Sequence, residues 1–325
     1  MPTLKYLIRI RLLCFLSALL AVALPLRADR AQADILLQQG RVDEAAVLLH
    51  EIVNSHPDNA KAHQLLCRVY YAQEMADDAI RECELAAAAD PGDSDTQMWL
   101  GRAYGLKASQ ANPLTAFSLA KKVRSAFERA VQLNPANVHA MSDLGEYYVA
   151  APAIVGGGLD KAQRLAQQLQ SYSAARYHRL LAEIANKKKD TATAEAEFRA
   201  AAAAGKTPEA FIDLGQFYQE KGQPDKALSA VQAGLEADRG RDSVLVDAAS
   251  ILTAADRSPE LAERLLREYL SSPAKSDGAP AFKVHVQLGD LLLKQGDVAG
   301  AHREYAAALA LASNYVPARK ALQGM

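Results

Sequence analysis

One punctuation mark recurs along this chain, and it constrains the fold more than anything else in the sequence. It reads His56-Pro57-Asp58-Asn59, then Asp90-Pro91-Gly92-Asp93, then Asn134-Pro135-Ala136-Asn137. Pro57 and Pro91 lie 34 residues apart, and Pro135 follows after 44, one period plus an insertion. A second mark keeps the same beat: Leu100-Gly101 with Tyr104, Leu144-Gly145 with Tyr148, Leu214-Gly215 with Tyr218, Leu288-Gly289 with Leu292. A third places Ala five residues after a glycine: Gly40 and Ala45, Gly157 and Ala162, Gly222 and Ala227, Gly296 and Ala301. A period of this length means stacked supersecondary units, each too small to bury its own apolar face and stable only against its neighbours.

The apolar spacing after Asp29 is helical throughout, and no stretch alternates as a strand would. Each period holds two helices, A and B. Proline stops helix B, because it cannot continue a helix and disfavours the helical conformation at the residue before it. Eight hairpins follow: 29–58, 59–92, 93–136, 137–172, 173–207, 208–240, 241–277 and 278–314, with 315–325 as a closing helix that carries Pro317 in its first turn. A content of 50% hydrophobic but only 6% aromatic residues, with alanine runs at 86–89 and 200–204, suits helices packed closely with Ala at the crossings.

The 34-residue period with these marks resembles the tetratricopeptide repeat (TPR) family. The resemblance is closest in hairpins two, three, four, six and eight. It loosens in hairpin five, where Lys187-Lys188-Lys189-Asp190 replaces the glycine turn, and in hairpin seven, where Ala248-Ala249 replaces Leu-Gly. It implies an all-α, right-handed superhelical solenoid over 29–325, with about eight hairpins and a C-terminal capping helix. It also implies a binding surface rather than an active site, with helix A residues lining a concave groove. Here those are Lys61, Gln64, Arg68 and Tyr71, then Met98 and Arg102, Ser142 and Glu146, Arg176, Arg179 and Glu183, and Ile212, Gln216 and Gln219. Arg68 and Arg102 stand one period apart, so the groove is expected to offer two guanidinium groups to an extended acidic segment. The Lys/Asn/Arg clamp of some chaperone-binding members is not reproduced.

The N-terminus reads as a leader. Lys5, Arg9 and Arg11 precede an apolar run from Leu12 to Leu24, closed by Pro25, with Leu26-Arg27-Ala28 as a cleavage site and Ala31-Gln32-Ala33 as another. This is the layout of a secretory signal peptide over 1–28. Left uncleaved, the segment would anchor the protein in the inner membrane through residues 4–26. That is the one case in which membrane contact is expected, and the apolar run of 13 is marginal for it, since a bilayer span needs about 20 residues. Cleavage removes Lys5, Arg9, Arg11 and Arg27 and no acid, taking the net charge from −1 to −5. Nothing basic points to nucleic acid. A bacterial periplasm fits.

Two insertions break the period, at 107–117 in hairpin three and 151–159 in hairpin four, both at the turn between helices A and B. Equivalent turns of stacked repeats share one edge. Pro113 is expected to open a long helix to Leu133, and Ile154 and Val155 to pack on Leu114 and Phe117. Three uses fit this edge of Pro113, Phe117, Ile154, Val155, Gly156, Gly157 and Gly158: a structural lid, a docking edge, or anion binding at the helix after the glycines. The glycines are not a phosphate-binding loop, since Lys161 lacks the Gly-Lys-Ser/Thr context.

Catalytic and metal-binding patterns are missing. None of the seven histidines forms a zinc-hydrolase pair with an intervening Glu, and no nucleophile elbow occurs. The chain therefore reads as a non-enzyme with no cofactor and no metal. Cys67 and Cys83 sit equally far from the turn of hairpin two, on antiparallel helices, either as a disulfide or as two buried thiols. The leading functional reading is a scaffold or adaptor of the bacterial cell envelope that binds a protein or peptide in its groove. The alternative is a periplasmic small-ligand-binding accessory of a transport or envelope-polysaccharide system. The two differ in whether an enclosed apolar pocket lies under the glycine loop.

Overall fold

The computed structural model describes residues 28–240 and 242–324, so the leader read over 1–28 lies almost wholly outside the described residues. The described residues form helices and turns without a strand. Residues 28–38 (α1) pair with Val42–Ser55 (α2), Ala60–Ala72 (α3) with Ala76–Ala89 (α4), and Ser94–Gln110 (α5) with Pro113–Leu133 (α6). Val138–Ala150 (α7) pairs with Leu159–Leu169 (α8), Ala174–Lys187 (α9) with Thr191–Gly205 (α10), and Pro208–Glu220 (α11) with Pro224–Ala237 (α12). Val244–Ala254 (α13) pairs with Pro259–Ser271 (α14) and Ala281–Lys294 (α15) with Val298–Leu311 (α16); Val316–Gln323 (α17) closes the series. The expected all-helical solenoid of eight hairpins and a last helix is what forms.

The recurring punctuation does two jobs. Its first residues end a B helix. Its last residue caps the next A helix: Asn59 accepts from Ala62 N, Asp93 from Asp95 N, and Asn137 from Ala140 N. Within the hairpins, Gly101 and Gly289 are small because helix B brings a ring against them. A Cβ on Gly101 would stand 2.4 Å from Phe127, and one on Gly289 2.6 Å from Tyr305. Cys67 and Cys83 occupy the same two positions in hairpin two and are bonded there, with Cα atoms 5.2 Å apart.

Neighbouring repeats are tied by a polar ladder. Tyr104 donates to Glu84 at 2.6 Å, Tyr148 to Glu128 at 2.9 Å and Tyr218 to Glu195 at 2.9 Å, while Tyr70 pairs with His50 at 2.8 Å. Three hairpins carry a second tie between their own helices: His63 with Glu82, His178 with Glu197 and His285 with Glu304, each at 2.7 Å. A helices also pack directly on A helices, α3 on α5, α5 on α7, α7 on α9, α9 on α11 and α11 on α13, whereas B helices pack chiefly on A helices. The A helices therefore form the inner, concave layer and the B helices fan out on the convex side.

The ends of the solenoid meet. Leu36, Leu37, Leu49 and Leu65 of the first two hairpins share one buried cluster with Phe282, Ala308, Ala312, Tyr315 and Ala318 of the last. Phe282 and Tyr315 stack edge to face with centroids 4.9 Å apart. Lys283 pairs with Glu74 at 2.8 Å, Ser313 N donates to Asp43 at 2.8 Å, and Arg68 reaches Asp277 at 2.7 Å. Gly40 lies so close to the start of α15 that a Cβ would be 2.4 Å from Ala281 N. The eight hairpins thus make a closed turn, and each end covers the apolar face of the other.

Candidate functional site

The concave wall is built from the inward faces of the A helices, and ion pairs stitch it from repeat to repeat. Arg68 on α3 bridges Asp34 of α1 at 3.1 Å and Asp277 before α15 at 2.7 Å. Arg102 on α5 holds Asp143 of α7 at 2.6 Å. Arg179 on α9 contacts Glu146 of α7 at 2.6 Å, Asp213 of α11 at 3.1 Å and its own Glu183 at 3.1 Å. The two arginines expected to await an acidic ligand are therefore already paired with carboxylates of neighbouring elements.

Between Arg68 and Arg102 stands Trp99, the one tryptophan of the chain. Its ring lies 4.6 Å from the Arg102 guanidinium and 5.5 Å from that of Arg68, and it meets Tyr71 edge to face at 5.5 Å. The sequence pattern places Tyr71 and Arg102 on this wall but passes over Trp99. Its position relative to Arg102, three residues away on one helix, is the signal that could have found it.

Farther round, carboxylates crowd together. Burial pushes the Glu183 carboxyl up to about 7, against the pull of Arg179. Burial, with help from the nearby charge of Asp213, pushes Asp247 up to about 6. Asp34, Asp277, Asp143, Glu146, Glu183 and Asp213 pair with only Arg68, Arg102 and Arg179, and Asp247 lies near Asp213, so acids outnumber bases in this set. The two guanidinium groups expected on this wall therefore stand within an acidic set, which the sequence could not show because the pairing partners lie on other repeats.

Other anticipated groove residues are distributed differently. Gln64 is a correction: it is 1% exposed, and its amide donates to Asp93 at 2.9 Å and Thr96 at 3.0 Å, joining α3 to the start of α5. Met98, Ser142 and Ile212 are likewise buried between helices. Lys61 is exposed and hydrogen-bonds the Gln64 carbonyl oxygen. Glu146 and Gln216 are exposed, the latter donating to Glu220 at 3.2 Å.

At the insertion edge, Pro113 opens α6, which runs to Leu133 as the spacing suggests. The loop folds as a short 3-10 turn, Ala153–Val155, against α6. Only part of the expected apolar packing forms. Val155 is buried and its carbonyl accepts from the Tyr147 hydroxyl, but Ile154 is 75% exposed and Leu114 86%, and Phe117 stays partly open beneath Lys121. Gly156 adopts φ +94 and the Arg124 side chain lies on it, where a Cβ would be blocked. Gly157 packs on Ala151 O and Gly158 precedes α8. Lys161 donates to Gly156 O, which turns the cation toward its own loop.

Residues 36–104 match the tetratricopeptide repeat family model. That match spans most of the first two hairpins and part of α5. The solenoid is similar in fold to yeast Tom70, with a TM-score of 0.51 at 16% identity, covering 87% of this chain and 59% of that one. A thermophilic TPR protein of Thermus thermophilus aligns over 70% of this chain and 99% of its own, at 21% identity and a TM-score of 0.47. The Cut9–Hcn1 hetero-tetramer of the APC/C aligns over 90% of this chain and 54% of that one, at 14% identity and a TM-score of 0.41. No curated protein matches the sequence. TPR repeats as a class mediate protein–protein interaction.

Proposed function

We propose that this TPR solenoid is a non-enzymatic scaffold of the bacterial cell envelope that receives an extended segment of a protein partner on its concave wall. The observation that carries the reading is the Tyr71–Trp99 aromatic platform, set in a continuous polar wall whose acids outnumber its bases. An edge-to-face aromatic pair offers area at little entropic cost, and charge-assisted bonds add register. The acidic excess favours a segment carrying Lys or Arg. An exported location is supported by the leader-like residues 1–28 and by the Cys67–Cys83 bond, which persists in oxidising compartments.

The small-ligand alternative stands second. It needs an apolar space under the glycine loop, and the Arg124 side chain fills the space over Gly156. Crosslinking of the mature protein in intact cells, with mass mapping of the crosslinked sites, tests the proposal. Crosslinks on α3, α5 and α9 support it. Crosslinks confined to the convex B helices, or a partner that is not a protein, refute it. Trp99 emission gives a second readout, since the only tryptophan lies on the proposed wall.

A further inference from the structure

The repeats supply their own control for reading the convex side. Between α6 and α8, over α7, lies a groove floored by Leu144 and Tyr148, with a volume of about 500 Å³. Between α10 and α12, over α11, the same groove recurs, floored by Leu214 and Tyr218, but its volume is about 940 Å³. The nine residues lining the smaller groove each have a counterpart lining the larger. Where the smaller groove has Val131, Gln132, Arg164, Leu165 and Gln168, the larger has Ala202, Ala203, Ser229, Ala230 and Ala233. Side chains that fill the gap between B helices in one repeat are cut back on both walls in the other, and the floor is apolar.

The rim changes with it. Glu128, which accepts from Tyr148 in the smaller groove, corresponds to Arg199, whose Nε donates to the Tyr218 hydroxyl at 3.0 Å. Arg199 is 61% exposed, so most of its guanidinium faces outward despite its pairing with Glu195 at 3.1 Å. Lys206 stands seven residues farther on, just past the end of α10, where it caps the helix in the left-handed region. Lys206 makes no ion pair among the described residues. The α10 wall is therefore basic where its counterpart is acidic, while the α12 wall carries Lys226 with Asp225 and Glu236.

We propose that this trough docks one amphipathic helix of a partner protein, with a narrow apolar stripe and acidic residues on the flank facing α10. The trough runs from Lys226 to Glu236, about 15 Å or nearly three helical turns. Alanine walls let a third helix approach closely, as ridges enter grooves, and apolar anchors at i, i+3 or i+4, and i+7 reach the floor. The charge pattern selects the occupant, because Arg199 and Lys206 along the α10 wall complement acids on the facing flank. The site lies on the outer layer, so it stands or falls independently of the concave reading.

The test uses the full mature chain and two labelled synthetic helical peptides of 16 residues. Both carry leucines at i, i+3 and i+7; one is flanked by glutamates and the other by lysines, and binding is read by fluorescence anisotropy. The acidic peptide is expected to bind with Kd on the order of 10 µM, at least tenfold tighter than the basic one. A203Q/A233Q restores the side chains of the smaller groove at exposed or half-buried positions, and should weaken binding tenfold or more with an unchanged melting curve. R199E, at an exposed position, should reverse the preference toward the basic peptide. The proposal is overturned if the acidic peptide fails to bind at about 1 mM, if A203Q/A233Q binds it as tightly as the wild type, or if both peptides bind alike. Binding of phosphatidylglycerol vesicles without peptide binding would assign the trough to lipid. Self-association abolished by A203Q/A233Q would assign it to a second copy. Either result overturns the proposal.

Discussion

Gly40 and Gly222 occupy the same place in two hairpins, and only one of them meets the far end of the chain. Both end an A helix in the left-handed region, at φ +75 and +66. A Cβ on Gly222 would meet nothing within 4 Å; one on Gly40 would stand 2.4 Å from Ala281 N. Gly222→Ala therefore measures backbone strain alone, about 1 kcal/mol. Gly40→Ala carries the same strain and must also push the first hairpin from the last by roughly 1 Å, enough to relieve the contact. Overpacking of that kind costs about 1–3 kcal/mol, so the expected total is about 2–4 kcal/mol. Urea unfolding at one pH gives both values, and hydrogen exchange locates the difference. Protection should fall in α1, α2, α15 and α17 for Gly40→Ala and stay near wild type there for Gly222→Ala. If the two variants agree within about 0.5 kcal/mol, the ends do not pack in solution and the closed turn described here is wrong.

Three further outcomes follow from named contacts. Reduction of Cys67–Cys83, separated by 16 residues, should lower stability by about 3 kcal/mol, read as the shift in urea midpoint with and without dithiothreitol; an unchanged midpoint refutes the bond. Because Glu183 has a higher pKa folded, about 7, than its ordinary 4.5, the native state binds the extra proton, and this residue's contribution to stability falls as pH rises through that window. Glu183→Gln should therefore gain stability relative to wild type between pH 5 and pH 8 on the order of 1 kcal/mol, and a constant difference across that range would count against it. Arg102→Ala leaves the mostly buried Asp143 without its partner and should lose about 2 kcal/mol in thermal or urea unfolding, whereas a loss near zero would show that the inner belt does not tie the repeats.

The period, the hairpins, Pro113 at the head of α6 and the pairing geometry of Cys67 with Cys83 were legible because each is a local pattern repeated at a fixed spacing. The state of the groove was not. Arg68 and Arg102 looked free because their partners, Asp277 and Asp143, lie 209 and 41 residues away, on elements whose mutual placement only the superhelix decides. Gln64 sat at a groove-facing register, yet Asp93 and Thr96 of the next repeat draw its amide inward. Alanines at 200–204 read as crossing points. Ala201 and Ala202 are buried as expected, but Ala203 faces outward and opens a trough, a distinction that periodicity alone does not make. The meeting of the ends left no local mark except Gly40, which reads like any other turn glycine.

A linear stack of repeats tolerates one unit more or fewer, since each unit answers only to its neighbours. Here the last hairpin also answers to the first, through Phe282, Tyr315 and Gly40, so the number of repeats becomes a geometric constant. Removing one internal hairpin would not shorten the molecule; it would leave an arc that no longer comes full circle and expose two apolar faces at once. Opening the chain at a distant turn such as 187–190, and joining the present ends by a linker, should by the same logic preserve the structure, because a closed turn has no privileged starting point.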